Sequence, residues 1–160
     1  TYRYLSGLND ESRTFSQLNS ELTFYIPILR NRITFANRIG AGTNLGNEGF
    51  EFFQAQYLGS EDNLRGYRKY RFAGKSKIFN QAELRIAVAK FKTYLFPAAF
   101  GVYVFYDTGK IYDLNKKSNK SLSGYGGGLW ISPLKRIVFS VGYTASKEDK
   151  LPLIGLGWKF

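Results

Sequence analysis

Apolar side chains in this chain recur at every second position over long runs, and no stretch repeats them with the three-to-four spacing of a helix. A period of two is the alternation of a β-strand, whose successive side chains point to opposite faces. The last eleven residues, Lys150 to Phe160, show it plainly. Ile154, Leu156, Trp158 and Phe160 fall on one face, and Gly155, Gly157 and Lys159 on the other. A chain patterned like this throughout is restricted to all-β folds.

Eight strands are expected, at about 1–8, 12–28, 32–43, 76–92, 98–112, 121–132, 136–146 and 151–160. In the second, Leu18, Leu22, Phe24 and Ile26 oppose Gln17, Asn19, Glu21 and Thr23. In the third, Ile33, Phe35 and Ile39 oppose Arg32, Thr34, Arg38 and Gly40. In the fourth, Leu84, Ile86 and Val88 oppose Glu83, Arg85 and Ala87. In the fifth, Val102, Val104 and Tyr106 oppose Gly101, Tyr103, Phe105 and Asp107. In the seventh, Ile137, Phe139, Val141 and Tyr143 oppose Val138, Ser140, Gly142 and Thr144. The segment at about 44–75 breaks the alternation, and it is too long for an idle loop in a compact domain.

Alternation does not say which face is wet. A sandwich or a soluble ligand-binding barrel turns its apolar face inward, whereas a transmembrane barrel turns it outward. The connections favour the second arrangement. They alternate short (29–31, 93–97, 132–135) with longer (8–12, 44–75, 112–121, 146–150), as the two ends of an outer-membrane barrel do. No stretch approaches the ~18 apolar residues of a spanning helix. The expected fold is therefore an eight-stranded antiparallel transmembrane β-barrel with one long loop at about 44–75, one domain over residues 1–160.

Composition removes several chemistries. With neither cysteine nor histidine, the chain lacks a disulfide framework, the usual zinc ligands and the usual general base. It carries no Gly-x-Ser-x-Gly and no phosphate-cradling glycine loop. Neither a catalytic residue nor a metal site nor a cofactor is expected, and the protein reads as a non-enzyme. The net charge of +11 suits anionic lipid or lipopolysaccharide phosphates as well as nucleic acid. Nucleic acid is not the expected partner, because the charges are spread singly through strands rather than gathered into a stripe or known module. The one dense cluster, Lys116, Lys117 and Lys120, reads as a solvated loop.

Four segments together resemble the barrel of the bacterial surface antigen family, whose members include BamA-like outer-membrane insertases. The first is Phe50–Gly59 followed by Leu64, Arg65, Gly66 and Tyr67, which is similar to the family's inward-folded loop with its Arg-Gly-aromatic tip. The second runs from Asn80 to Arg85, the third from Val104 to Ile111, and the fourth from Gly126 to Leu134. The closing strand and its terminal aromatic follow. The resemblance covers nearly the whole chain and corresponds to the last eight of the family's usual sixteen strands.

The resemblance implies that Arg65 reaches into the barrel and pairs with Glu83 and Asp107, with Gly66, Tyr67 and Arg85 in the same network. It also implies that Gly155, Leu156, Trp158 and Phe160 form the closing strand and sorting signal. Two departures stand out. The family's periplasmic substrate-binding repeats and first eight strands are not in this sequence, and Lys135 stands where the family more often has glycine. The expected role is a minimal barrel in the outer membrane of a Gram-negative cell, acting in membrane assembly, membrane perturbation or scaffolding. Alternatives are the C-terminal half of a sixteen-stranded insertase or translocase, and the anchor of a removed enzymatic or binding domain. The expected partners are outer-membrane lipids including lipopolysaccharide, a second copy in a homodimer, and outer-membrane protein clients. Strands one and eight are expected to close on each other. Arg32, Arg38, Glu21, Glu83, Arg85, Tyr103 and Phe105 are expected to fill much of the interior. Tyr and Trp are expected near the rims of the outer apolar band.

Overall fold

The computed structural model describes residues 2–5, 15–29, 32–45, 55–92, 97–112, 121–134 and 137–157. They form ten strands: β1 (Tyr2–Leu5), β2 (Phe15–Leu29), β3 (Ile33–Leu45), β4 (Gln56–Leu58), β5 (Phe72–Gly74), β6 (Ser76–Lys92), β7 (Pro97–Tyr112), β8 (Leu122–Pro133), β9 (Phe139–Ser146) and β10 (Lys150–Leu156). There is no helix among the described residues. Eight strands make one antiparallel sheet in the order β1-β2-β3-β6-β7-β8-β9-β10, and β4 with β5 forms a separate pair. Every neighbour in the large sheet is next in sequence apart from the β4–β5 excursion, so the topology is a meander with one long inserted loop.

The register follows the sequence pattern. β2 pairs with β3 from Ser16↔Leu45 to Leu29↔Ile33, with a shift beside Pro27, a residue with no N–H to give to a ladder. β6 and β7 pair from Ser76↔Tyr112 to Lys92↔Pro97, with a shift between Ala87 and Ala89. β2, β3, β6 and β7 have 15, 13, 17 and 16 residues, more than the ~9–11 that a tilted strand needs to cross hydrocarbon.

The two faces differ as the alternation requires. One is covered by the β4–β5 loop and carries the buried Gln81, Glu83, Arg85, Tyr103, Phe105, Asp107, Trp130, Thr144 and Leu153. The other leaves large apolar side chains exposed, among them Leu22, Val88, Val104, Leu129, Val141, Ile154 at 78% and Leu156 at 72%. Leu84, Ile86 and Val102 lie on the same side, partly shielded by neighbours. One polar pair sits among them: Asn37 Nδ2 donates to Asn80 Oδ1 at 2.9 Å.

Two expectations need correction. Strands one and eight do not close on each other: among the described residues β1 pairs with β2 alone and β10 with β9 alone, and the sheet is open. β1 covers just Phe15 to Leu18 of β2, so the remaining edge of β2 has no neighbour among the described residues. The second concerns Trp130. It is not at an outer rim but on the covered face, where its Nε1 donates to the Val102 carbonyl at 3.2 Å.

Candidate functional site

The site is the loop between β3 and β6, folded back over the sheet. Its stem is the β4–β5 pair, Gln56↔Gly74 to Leu58↔Phe72. Above the stem a tight turn is tied by its own polar groups. Leu64 N donates to the Ser60 carbonyl at 2.9 Å. Asn63 Oδ1 accepts from Gly59 N at 2.8 Å, and its Nδ2 donates to the Tyr57 carbonyl at 3.2 Å. Leu58, Leu64, Tyr67 and Phe79 make a small buried core under the loop, flanked by Phe72, Ile111 and Leu122. That apolar anchor explains why a charged, glycine-containing segment is ordered at all: it buries three of its own side chains against the sheet.

The turn delivers Arg65 to the centre of the covered face. Its Nε and Nη2 donate to Asp107 Oδ2 and Oδ1, each at 2.8 Å. Its Nη1 donates to Glu83 Oε2 at 2.5 Å. The backbone N of Arg65 also donates to Asp107 Oδ2 at 3.0 Å. Glu83 uses its other oxygen, Oε1, to accept from Arg85 Nε at 2.7 Å. The guanidinium of Arg65 lies 3.7 Å over the Phe105 ring. The cluster therefore holds two cations and two carboxylates, balanced in charge and almost sealed from solvent. Burial pulls the Arg65 pKa down, but Asp107 and then Glu83 outweigh it, so the group ends above its ordinary value and stays charged. A forked, charge-assisted geometry of this kind accepts one orientation of the loop and no other.

Glycines let the backbone come close. A Cβ on Gly124 of β8 would fall 1.8 Å from the Arg65 carbonyl oxygen. Gly66 has φ of +95°, in the left-handed region, and a Cβ there would meet Thr144 and Ser146 at 3.1 Å. Next to it, Tyr67 donates its hydroxyl to the Ser123 carbonyl at 3.2 Å. Beyond the tip the loop reaches the β9–β10 turn. Arg68 Nε pairs with Asp149 at 3.0 Å, and Arg71 Nε and Nη2 with Glu148 at 2.7 and 3.2 Å.

Arg65, Gly66, Tyr67, Glu83, Arg85 and Asp107 are thus brought together at one place. Gly155 of β10 lines a small cavity with Arg65, Glu83 and Tyr103, Leu156 is exposed on the opposite face, and Trp158 and Phe160 lie outside the described residues. So does the cluster of Lys116, Lys117 and Lys120. The sequence reading missed Gly124, Glu148, Asp149 and Trp130 as partners of this face. The two adjacent acids in a strongly basic chain were a usable signal for the arginines of the loop. No signal marks Gly124, since one glycine among the several of β8 carries the contact. Among the described residues no cluster of three or more acidic, histidine or cysteine side chains stands ready for a metal.

The described residues thus form an antiparallel sheet with one exposed apolar face and an arginine-tipped loop locked onto the other. The Omp85 superfamily domain matches residues 3–160, and the chain belongs to that superfamily, consistent with a BamA-like surface antigen. Members are outer-membrane proteins and are generally non-catalytic insertases or translocases. No curated protein matches the chain.

Proposed function

We propose that this protein is a non-catalytic wall element of the bacterial outer membrane, acting in membrane-protein assembly, membrane perturbation or scaffolding. The observation that carries this reading is the exposed apolar face, which runs from Leu22 on β2 to Leu156 on β10, while the pairs that Glu21, Glu83, Asp107, Glu148 and Asp149 make with arginines lie on the loop side or in its turns. In water such a face is a liability; against acyl chains it is the required surface. The loop keeps the wall in one curvature by tying β6, β7, β8 and the β9–β10 turn together. Lys69, Lys75, Lys110, Lys147 and Lys150 stand at the loop-bearing end, suited to the phosphates of lipopolysaccharide.

The open edges favour a second form of this reading, in which the sheet is half of a sixteen-stranded insertase or translocase wall. The test is reconstitution into phospholipid vesicles with an unfolded small outer-membrane barrel as client. Faster client folding than in empty vesicles is expected, and an unchanged rate would remove the assembly role. The membrane placement has its own check. Val141→Arg should weaken folding in a bilayer by ~2–4 kcal/mol, and a variant as stable as the parent would contradict a lipid-facing β9.

A further inference from the structure

We infer that the covered face holds a second site, a cavity at the short-turn end of the sheet that binds a phosphate group. The inference goes beyond the membrane reading and stands on the cavity alone. The sequence already separates the charges. No acidic residue lies between Glu21 and Glu48, between Glu83 and Asp107, or between Asp113 and Glu148. The short connections β2–β3, β6–β7 and β8–β9 fall inside those three runs. The loop at the other end mixes Glu61 and Asp62 with Arg65, Arg68, Lys69 and Arg71. A cavity of about 240 Å³ opens at the short-turn end, lined by Arg32, Thr34, Arg85, Lys90, Trp130 and two alanines, with no acid in its wall among the described residues. Arg85 and Trp130 are buried and form its floor, and Arg32 and Lys90 are exposed at its mouth.

The backbone brings these groups together. Thr34 of β3 stands opposite Arg85 of β6. The Ala87 N–H donates to the Arg32 carbonyl at 2.7 Å, which sets Arg32 beside the same strand. Lys90 arrives through a bulge. Leu84, Ile86 and Val88 face the apolar side, and unbroken alternation would send Lys90 after them. The register shift between Ala87 and Ala89 reverses the phase, so Lys90 pairs with Ala99 on the covered face and joins the cavity. Bulges re-aim side chains in this way. Arg85 is fixed before any ligand arrives: its Nε is held by Glu83 at 2.7 Å, and its Cζ lies 5.7 Å from the centre of the Tyr25 ring. The ligand class follows from the charges. Glu83 already gives one oxygen to Arg65 and the other to Arg85. Arg32 and Lys90 add two positive charges that no acid of the wall balances. A carboxylate would cancel one of them, whereas a phosphate group carries roughly −1.5 to −2 at pH 7 and offers three strong acceptor oxygens. Guanidinium forks and a lysine ammonium both suit such a group. The Trp130 N–H is spent on the Val102 carbonyl, so its ring, with Ala87 and Ala99, leaves an apolar wall for the stem that carries the phosphate. Free phosphate and a lipid headgroup share this chemistry.

The test follows the phosphorus NMR line of two probes as the full chain is added in an uncharged detergent. One probe is inorganic phosphate, and the other is phosphatidic acid carried in the same micelles. A saturable shift at one phosphate per chain is expected in at least one arm. Arg32→Gln with Lys90→Gln should weaken it by roughly tenfold or more for each cation removed. Ala99→Glu keeps every cation and sets a carboxylate opposite Lys90, so it should weaken binding too, and it decides alone if the double variant does not fold. A shift with inorganic phosphate assigns the site to free phosphate, and a shift with phosphatidic acid alone assigns it to a headgroup; both support the inference. The absence of a saturable shift in both arms overturns it. A shift that the double variant and Ala99→Glu both keep places the phosphate elsewhere and overturns the site. Acetate that displaces the probe as readily as phosphate does, at equal ionic strength, overturns the choice of phosphate over carboxylate. Each of these failures leaves the membrane reading standing, because Val141→Arg tests that reading on the opposite face.

Discussion

At its tip the loop is held by Arg65 against Glu83 and Asp107, side chains that are 6%, 4% and 0% exposed. A few residues on, Arg68 and Arg71, which are 78% and 52% exposed, reach Asp149 and Glu148. The chemistry is the same, an arginine on a carboxylate at hydrogen-bonding distance. The surroundings are not. At the tip, neither partner can exchange the other for water, so the pairing must be complete or the loop cannot seat. At the rim, each charge is solvated whether paired or not, and salt screens what attraction remains. The comparison teaches that the tip selects a conformation while the rim follows it. A buried pair of this sort adds little net stability over a well-packed apolar substitute, yet losing one member is costly.

The largest test of that contrast removes one partner at the tip. Asp107→Ala deletes the acceptor of two guanidinium donors and of the Arg65 backbone N–H. It leaves Arg65 and Arg85 sharing Glu83 in a buried site with excess positive charge. The expected cost is about 3–5 kcal/mol, read by urea unfolding in detergent, together with new protease cleavage in residues 59–71. A smaller loss, comparable to an exposed pair, would mean that water reaches the tip and that the contrast is one of degree.

Next in size is Gly124→Ala. The substitution adds no charge and removes no hydrogen bond; it places a methyl group where the Arg65 carbonyl stands. Because the obstructing atom is backbone, the loop must lift rather than a side chain rotate. Overpacking of this kind costs about 1–3 kcal/mol. The same protease assay should show the loop loosened while the sheet, by far-ultraviolet circular dichroism, is retained. Loss of the sheet instead would show that the loop organises β8 and does not merely rest on it.

The strands of the large sheet were legible because a period of two is a direct image of the pleat: Val102 and Val104 against Tyr103 and Phe105 is the same statement in sequence and in space. Arg65, Glu83 and Asp107 were legible only through resemblance, since nothing in the spacing of three charged residues over 42 positions says that they meet. The open edge was not legible. Eight strands and favourable loop parity satisfy the rules for closure, yet those rules do not say whether a ladder forms between the first strand and the last, and among the described residues none does. The inward turn of Trp130 was hidden for a similar reason. An aromatic at the end of a barrel strand suits a rim, and only the bare Gly101 opposite, where a Cβ would lie 2.6 Å from the indole, makes room for the ring on the covered face.

The smallest expected effect belongs to the rim, and it is the sharper half of the comparison because it predicts nearly nothing. Arg71 is held above its ordinary pKa by its hydrogen bonds to Glu148, so the cation is present at any pH at which the protein is handled, and the pairing is not lost through titration of the arginine. Removing it should still change little. In Arg68→Ala with Arg71→Ala, Asp149 and Glu148 return to water, and the β9–β10 turn keeps its own bonds from Glu148 N and Asp149 N to Ser146 Oγ at 3.2 and 3.1 Å. The double variant should unfold at the parent's urea midpoint, in low salt and in high salt alike, and its loop should resist protease as the parent's does, because Arg65 still holds the tip. A salt-dependent loss in the parent that the double variant lacks would show that the rim carries a measurable electrostatic share. A loop freed as fully as in Asp107→Ala would mean that the exposed pairs position the tip, reversing the order in which the two attachments depend on each other.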